Sequence, residues 1–158
     1  VVGTPGVLLS SPLLRTRETA ALVDPGAAVE LDVRVIELDY GELDGTALDA
    51  VDPDLWERWI SDSHFAPPGG ESLAALSERV EPFMEEMFST PGERARSRDH
   101  DVVVVSHVSP IKAAVAWALK SDPLVAWRLR LSTGSITRIA FGPAGPQLVG
   151  FNEVPDLS

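Results

Sequence analysis

Four consecutive valines, Val102 to Val105, followed at once by Ser106-His107 and then by Ser109-Pro110, constrain this chain more than any other feature. β-Branched residues suit a pleated strand, and an unbroken apolar run implies burial on both faces, as in a parallel sheet. Serine before proline signals a helix start, with serine as N-cap and proline at the first helical position. The segment reads as strand, tight turn and a helix to about Lys120. In open α/β sheets ligands bind at the carboxyl ends of strands, and a helix N-terminus there offers free N–H groups to a phosphate. His107 is therefore placed where it could donate to a phosphoryl oxygen. A core histidine satisfied by a backbone carbonyl is an equal reading of this segment alone.

The rest of the chain supplies partners for such a unit. Val7-Leu8-Leu9 reads as a second buried parallel strand with its exit at Ser10-Ser11-Pro12, and Leu14 to Val23 as a helix stopped by Asp24-Pro25-Gly26. Val29 to Ile36 fits a short strand and Glu37 to Gly45 a polar loop. Asp52-Pro53 opens a helix through Trp56 and Trp59, and Phe65 to Gly70 is a Pro/Gly loop. Leu73, Leu76, Val80, Phe83 and Met87 form an amphipathic stripe, with Pro82 expected to kink its helix. Arg94, Arg96 and Arg98 mark a charged connection before the valines. Asp122-Pro123 is another helix start. Strands are expected near Leu129 to Leu131, Ser135 to Phe141 and, after a turn at Gly142 to Pro146, Gln147 to Phe151. Without repeats or a second hydrophobic pattern, residues 1–158 read as one α/β domain.

Net charge narrows the partners. The chain carries 13 Lys and Arg against 24 Asp and Glu, a formal charge of −11. Binding a nucleic-acid backbone needs a cationic surplus, so no nucleic-acid partner is expected. A local basic pocket for a small phosphate ester remains compatible with that total. With no cysteine, disulfides, thiolate catalysis and Cys-based zinc sites are excluded. The apolar runs are too short to span a bilayer, and a cytoplasmic protein without a membrane partner is expected.

Three other segments hold candidate chemistry. Arg15 lies near the start of the first helix, where its planar fork could clamp a phosphate, although most arginines are simply solvated. Glu37 follows the apolar pair Val35-Ile36, and a carboxyl partly withdrawn from water there can serve as a proton donor. Asp39, Glu42 and Asp44 read instead as solvated. Gly69-Gly70-Glu71-Ser72 fits either close backbone approach to a ligand or a plain turn into a helix.

In order, these elements are Ser-Ser-Pro-Leu-x-Arg-x-x-x-Thr-Ala, Glu-x-x-x-Gly-x-x-x-Gly, Gly-Gly-Glu-Ser and an apolar strand ending Ser-His. The series resembles the histidine phosphatase superfamily, the phosphoglycerate-mutase-like proteins, from about Val7 to Phe151. The resemblance implies a three-layer α/β/α sandwich with a mostly parallel central sheet. It implies a phosphomonoester hydrolase that acts on a small phosphorylated metabolite through a phosphohistidine, without metal or organic cofactor. Glu37 would be the general acid and His107 the second, non-nucleophilic histidine. Arg15 would clamp phosphate, and Ser11 and Val108 would shape the substrate pocket. A mutase-type phosphotransferase and a phosphoester-binding domain without turnover are the alternatives. A hydrolase is favoured because the stretch from Gly45 to Gly69 is short. Two departures stand out. The family's Arg-His-Gly nucleophile motif belongs to a strand expected before Val1, and neither His64 nor His100 sits in such a motif. Val108 replaces the usual glycine, so a turn needing positive φ would have to change. Trp56, Trp59, His64 and Phe65 are expected either to line the substrate side or, for the tryptophans, to fill the core. An apolar strand edge near the C-terminus would permit a homodimer.

Overall fold

The computed structural model describes residues 5–89 and 101–154. Its centre is a parallel sheet in the order β2-β1-β3, built from Val7–Ser10 (β1), Val29–Leu31 (β2) and Val102–Val105 (β3). The register sets Leu8 opposite Val29 on one side and Val103 on the other. Two parallel strands in sequence need a crossover, and helix α1, Leu14–Val23, supplies it. Along β1 the side chains alternate faces. Val7 and Leu9 belong to the main core with helix α3, Leu73–Ser89, while Leu8 is equally buried but outside that core. Helix α1 lies along all three strands. The result is a mixed α/β fold with helices covering a parallel central sheet.

Of the stripe expected on α3, Leu73, Leu76, Val80 and Phe83 are buried in the main core beside Met84, and Met87 packs against it partly buried. The helix continues through Pro82, which cannot donate to the carbonyl one turn earlier. Helix α4, Val108–Leu119, packs on α3, and its Ala113, a small residue that permits close approach, is buried in the same core. Helix α2, Pro53–Ser61, begins with the Asp52 side chain accepting from the Asp54 and Leu55 amides. Strands β4 (Ile136–Gly142) and β5 (Gly145–Glu153) form a separate antiparallel pair. Among the described residues no helix is long and apolar enough to cross a membrane.

Two local expectations are corrected and two are sharpened. The strand from Val29 stops at Leu31, because Asp32 caps a 3₁₀ turn at Val33–Val35 by accepting from the Arg34 amide at 2.8 Å. Leu129 to Leu131 joins no ladder among the described residues; it follows a 3₁₀ turn at Pro123–Arg128, which Asp122 caps. The helix start read at Asp122-Pro123 is this turn, with Asp122 as its N-cap and Pro123 at its beginning. The four valines of β3 are not buried on both faces: Val102 is 37% exposed and the other three are half-buried. Among the described residues β3 pairs on one side only, with β1. Arg94, Arg96, Arg98 and His100 lie outside the described residues.

Candidate active site

Two strand-to-helix junctions of the central sheet lie side by side. β1 runs out through Ser11 toward α1, and β3 through Ser106 and His107 toward α4; the Ser11 amide donates to the Val105 carbonyl at 3.0 Å. His107 has extended backbone and is the N-cap of α4, which corrects the cap expected at Ser109; Ser109 and Pro110 are buried inside the first turn. Val108 opens the helix, and it is not among the described residues with positive φ. The valine that departs from the family pattern therefore occupies an ordinary helical conformation, and the turn needs no glycine.

The side chains at these junctions form a directed chain of hydrogen bonds. Arg15 Nε donates to His107 Nδ1 at 3.2 Å. That nitrogen must then carry a lone pair, so in the neutral ring Nε2 carries the proton. Nε2 lies 2.7 Å from Ser11 Oγ and donates to it. Ser11 Oγ is in turn 2.8 Å from Thr16 Oγ1, which donates to the Leu13 carbonyl at 2.8 Å. Ser11 is fully buried and Thr16 nearly so. The Ser11 hydroxyl thus faces the histidine and orients that ring. Thr16 was not singled out by the sequence reading; a threonine in the first turn of an otherwise Arg- and Glu-rich helix was its one signal.

Burial holds His107 below the usual histidine range, and the charge of Arg15 pushes the same way, while Glu37 opposes both. The ring is only 7% exposed. Arg15, by contrast, is exposed, and among the described residues its two Nη groups make no hydrogen bond. A buried neutral ring therefore stands next to a guanidinium whose bidentate edge is free for an anion. Lys112, on the next turn of α4, is half-buried; burial lowers its pKa and the charge of Glu37 raises it. Three cations, Arg15, Lys112 and Arg79, bear on this corner of a chain whose total is −11.

Glu37 comes to the same place from a third element. Its Oε1 accepts from its neighbour Leu38 N at 2.9 Å and from Ser109 N, in the first turn of α4, at 3.2 Å. No hydrogen bond engages Oε2 among the described residues. Ser106 Oγ donates to the Val35 carbonyl at 2.7 Å, tying the end of β3 to the turn before Glu37. Tyr40 OH lies 3.1 Å from Ser109 Oγ.

The glycines of the two loop motifs serve a backbone contact. The Glu42 amide donates to the Pro68 carbonyl at 2.9 Å, and the Glu71 amide to the Asp39 carbonyl at 2.8 Å. Gly41 has φ +54°, and a Cβ there would collide with the Pro68 carbonyl; one at Gly70 would stand 2.6 Å from the Asp39 carbonyl. The Gly-Gly-Glu-Ser loop is therefore pressed against the loop that carries Glu37. Arg79 on α3 joins both, with hydrogen bonds to Glu71 and to backbone carbonyls of the Glu37 segment.

The residues expected on the substrate side divide. Trp59 is 2% exposed and meets Tyr40, Trp56 and Trp127 edge to face, with ring centres 5.4–6.1 Å apart. It is a core residue that also walls a cavity of about 230 Å³ with Tyr40, Leu43 and Thr46. Phe65 lies under the Arg58 guanidinium and lines a second cavity, of about 300 Å³. His64 is exposed. Neither cavity is lined by Arg15, Glu37 or His107. No cluster of three or more His, Asp or Glu suited to a metal occurs among the described residues.

Comparison with known proteins fits this geometry. Residues 3–154 match the model of the histidine phosphatase superfamily, branch 1. A bifunctional protein of Mycobacterium tuberculosis strain H37Rv is 36% identical over 155 residues, which cover 90% of this chain and 39% of the relative. Phosphoserine phosphatase 1 of Hydrogenobacter thermophilus is 34% identical over 139 residues, covering 84% of this chain and 63% of the relative. The chain thus spans less than two thirds of the length of either. A mycobacterial glucosyl-3-phosphoglycerate phosphatase, solved with inorganic phosphate, superposes with a TM-score of 0.80 at 28% identity, covering 94% of this chain and 77% of the other.

Proposed function

The chain belongs to the histidine phosphatase superfamily, and from that premise we propose that the protein hydrolyses phosphomonoesters of small metabolites through a phosphohistidine. The observation that carries this reading is the convergence of Arg15, His107 and Glu37 on one corner, at the carboxyl ends of β1 and β3. Arg15 offers two free Nη groups to the phosphoryl oxygens. His107, held by Ser11 on one side, turns its Nδ1 to the same place. Once an anion displaces the Arg15 hydrogen bond, a proton taken up at Nδ1 makes the ring a donor to a phosphoryl oxygen.

In this reading a second histidine, in the Arg-His-Gly motif typical of the family and outside this chain, attacks phosphorus. The bond from phosphorus to the ester oxygen breaks, and Glu37 gives that oxygen its proton. Glu37, now a carboxylate, takes a proton from water as the water attacks the phosphohistidine, and inorganic phosphate leaves. The free Oε2 of Glu37 suits that exchange, since Oε1 is fixed by two amides. Hydrolysis is preferred over transfer to a second substrate position because residues 45–69 hold only a 3₁₀ turn and the nine-residue α2. Relatives named for phosphoserine and glucosyl-3-phosphoglycerate support a small phosphorylated metabolite as substrate.

The test is a leaving-group series on the full-length protein. Glu37→Gln is expected to lower turnover of alkyl phosphates by roughly 10²–10⁴-fold, the usual worth of a general acid, and to spare p-nitrophenyl phosphate, whose leaving group needs no proton. An equal loss across the series would remove Glu37 from the acid role.

A further inference from the structure

Arg79 lies on α3, eight residues after Glu71 and between the core residues Leu76 and Phe83. It is a largely covered arginine, 21% exposed in its side chain, beside a Glu71 side chain 20% exposed. Its Nε donates to Glu71 Oε1 at 2.7 Å and its Nη2 to Oε2 at 2.8 Å, a side-on bidentate pair. The same guanidinium has two further acceptors: Nη1 donates to the Arg34 carbonyl at 2.7 Å and Nη2 to the Glu37 carbonyl at 3.3 Å. Those carbonyls bracket the bend that lifts the chain out of the 3₁₀ turn at Val33–Val35 and delivers Glu37.

The planar fork makes this arrangement restrictive. Its donors point in fixed directions, so meeting a carboxylate and two carbonyls at once fixes each relative to the others. Glu71 is itself tied to the acid loop by its amide, which donates to the Asp39 carbonyl at 2.8 Å. The Glu37 segment is therefore held from α3 at residues 34 and 37, from the Gly-Gly-Glu-Ser loop at residue 39, and from Ser106 at residue 35. Among the described residues the one hydrogen bond from α3 to the backbone of Glu37 itself is that of Arg79 Nη2. A carboxyl has to sit within a fraction of an ångström of the leaving oxygen, so a clamp on its own peptide unit governs catalysis without touching substrate.

We propose that Arg79, locked by Glu71, is a positioning residue that sets the geometry of the Glu37 carboxyl. This rests on the reading of Glu37 as the acid for its kinetic part, though not for its structural part. Lysine keeps the charge and loses the fork, so Arg79→Lys isolates the geometry.

The experiment compares wild type, Arg79→Lys, Glu37→Gln and the double variant of the full-length protein. The readouts are amide hydrogen exchange of Leu38 and Ser109, and turnover of an alkyl phosphate against p-nitrophenyl phosphate. Arg79→Lys is expected to speed exchange at Leu38 and Ser109, the two amides bound to Glu37 Oε1. It is expected to slow the alkyl ester by roughly 10- to 100-fold, the scale of a small misplacement, with less than about threefold change on p-nitrophenyl phosphate and unchanged inorganic phosphate affinity. In the Glu37→Gln background it should add nothing to the alkyl-ester loss. Unchanged exchange at both amides, or a full further loss in the double variant, would overturn the role of Arg79. If Glu37→Gln itself shows no leaving-group dependence, the acid reading falls, and the exchange data still decide whether Arg79 holds the Glu37 segment. If Arg79→Lys fails to fold, Glu71→Gln releases one side of the clamp with the arginine in place. It should give the same pattern in weaker form; a uniform loss across substrates would mean that the pair only stabilises the fold.

Discussion

The β1–α1 and β3–α4 junctions have the same plan, a short parallel strand, a tight exit and a helix, yet they deliver opposite kinds of group. Helix α4 buries Ser109, Pro110, Ala113, Val115, Ala116 and Ala118, while α1 buries only Thr16 and Ala20. The heavily packed junction holds a neutral, nearly inaccessible histidine. The lightly packed one holds an exposed arginine whose two Nη groups make no hydrogen bond among the described residues. A phosphate site needs both: a donor whose direction is fixed before the ligand arrives, and a strong charge that can adjust to it. Packing density separates the two roles more clearly than residue chemistry, since both junctions end in serine and carry a polar residue toward the same corner.

The largest effect expected from this contrast belongs to His107→Ala. Removing a buried ring leaves a cavity and takes one hydrogen bond from the Ser11 hydroxyl, which keeps Thr16, at a cost of about 0.5–1.5 kcal/mol for that bond alone. Thermal melting should show that loss, and isothermal titration should show inorganic phosphate binding weakened by at least about 10-fold, the worth of one charge-assisted hydrogen bond. A variant that melts like wild type and binds phosphate normally would contradict both the packing and the role. Arg15→Ala should separate the two quantities. The side chain is exposed, so stability should stay within about 0.5 kcal/mol. Phosphate affinity should still fall by roughly 10- to 100-fold, as expected for a charged hydrogen bond or two. Loss of stability equal to that of His107→Ala would mean that the junctions do not differ as described.

The legible parts of this molecule are those where local signals and tertiary demands agree. Val102 to Val105 with Ser106-His107 and Ser109-Pro110 could be read as strand, turn and helix, because β-propensity and a proline in the first helical turn coincide, although the helix is capped at His107, two residues before the cap read at Ser109. The motif order placed Arg15, Glu37 and His107 in one neighbourhood before any contact was known, and they are found together. What escaped depends on partners distant in sequence. Thr16 and Arg79 look like ordinary helix residues until Ser11 and the Glu37 segment are placed beside them. The glycines before α3 left a ligand and a plain turn equally open, and the group that approaches Gly70 is backbone from the loop that carries Glu37. The short strand read within Val29 to Ile36 ends at Leu31, at a cap from Asp32 that apolar alternation does not register. Leu129 to Leu131 has strand composition but found no ladder, since β-propensity records what fits a sheet, not whether one is present.

The smallest effect tests whether the buried ring changes state when the site fills. In the free protein burial and Arg15 hold His107 below the usual histidine value of about 6.5, so it is neutral near pH 7. An anion next to Nδ1 favours the imidazolium and raises its pKa, so binding takes up a proton. Affinity must then be greatest at low pH and fall as pH rises through the pKa of the bound form. Sulfate is the right probe, because it stays a dianion throughout and contributes no titration of its own. Between pH 5.5 and 8, carboxylates, lysines and arginines at their ordinary values keep their charge, and the fall for one proton cannot exceed about tenfold per pH unit. Lys112, also lowered by burial, would add a loss only toward the alkaline end. Calorimetry in two buffers of different ionisation heat would count the protons directly. His107→Gln, which keeps a hydrogen-bonding side chain without a titrating ring, should abolish the uptake and flatten the pH dependence. Sulfate binding that is flat in wild type would mean that the ring stays neutral in the filled site. The Arg15 hydrogen bond to Nδ1 would then persist with ligand present, leaving the Nη edge of the exposed arginine as the fork that meets the anion.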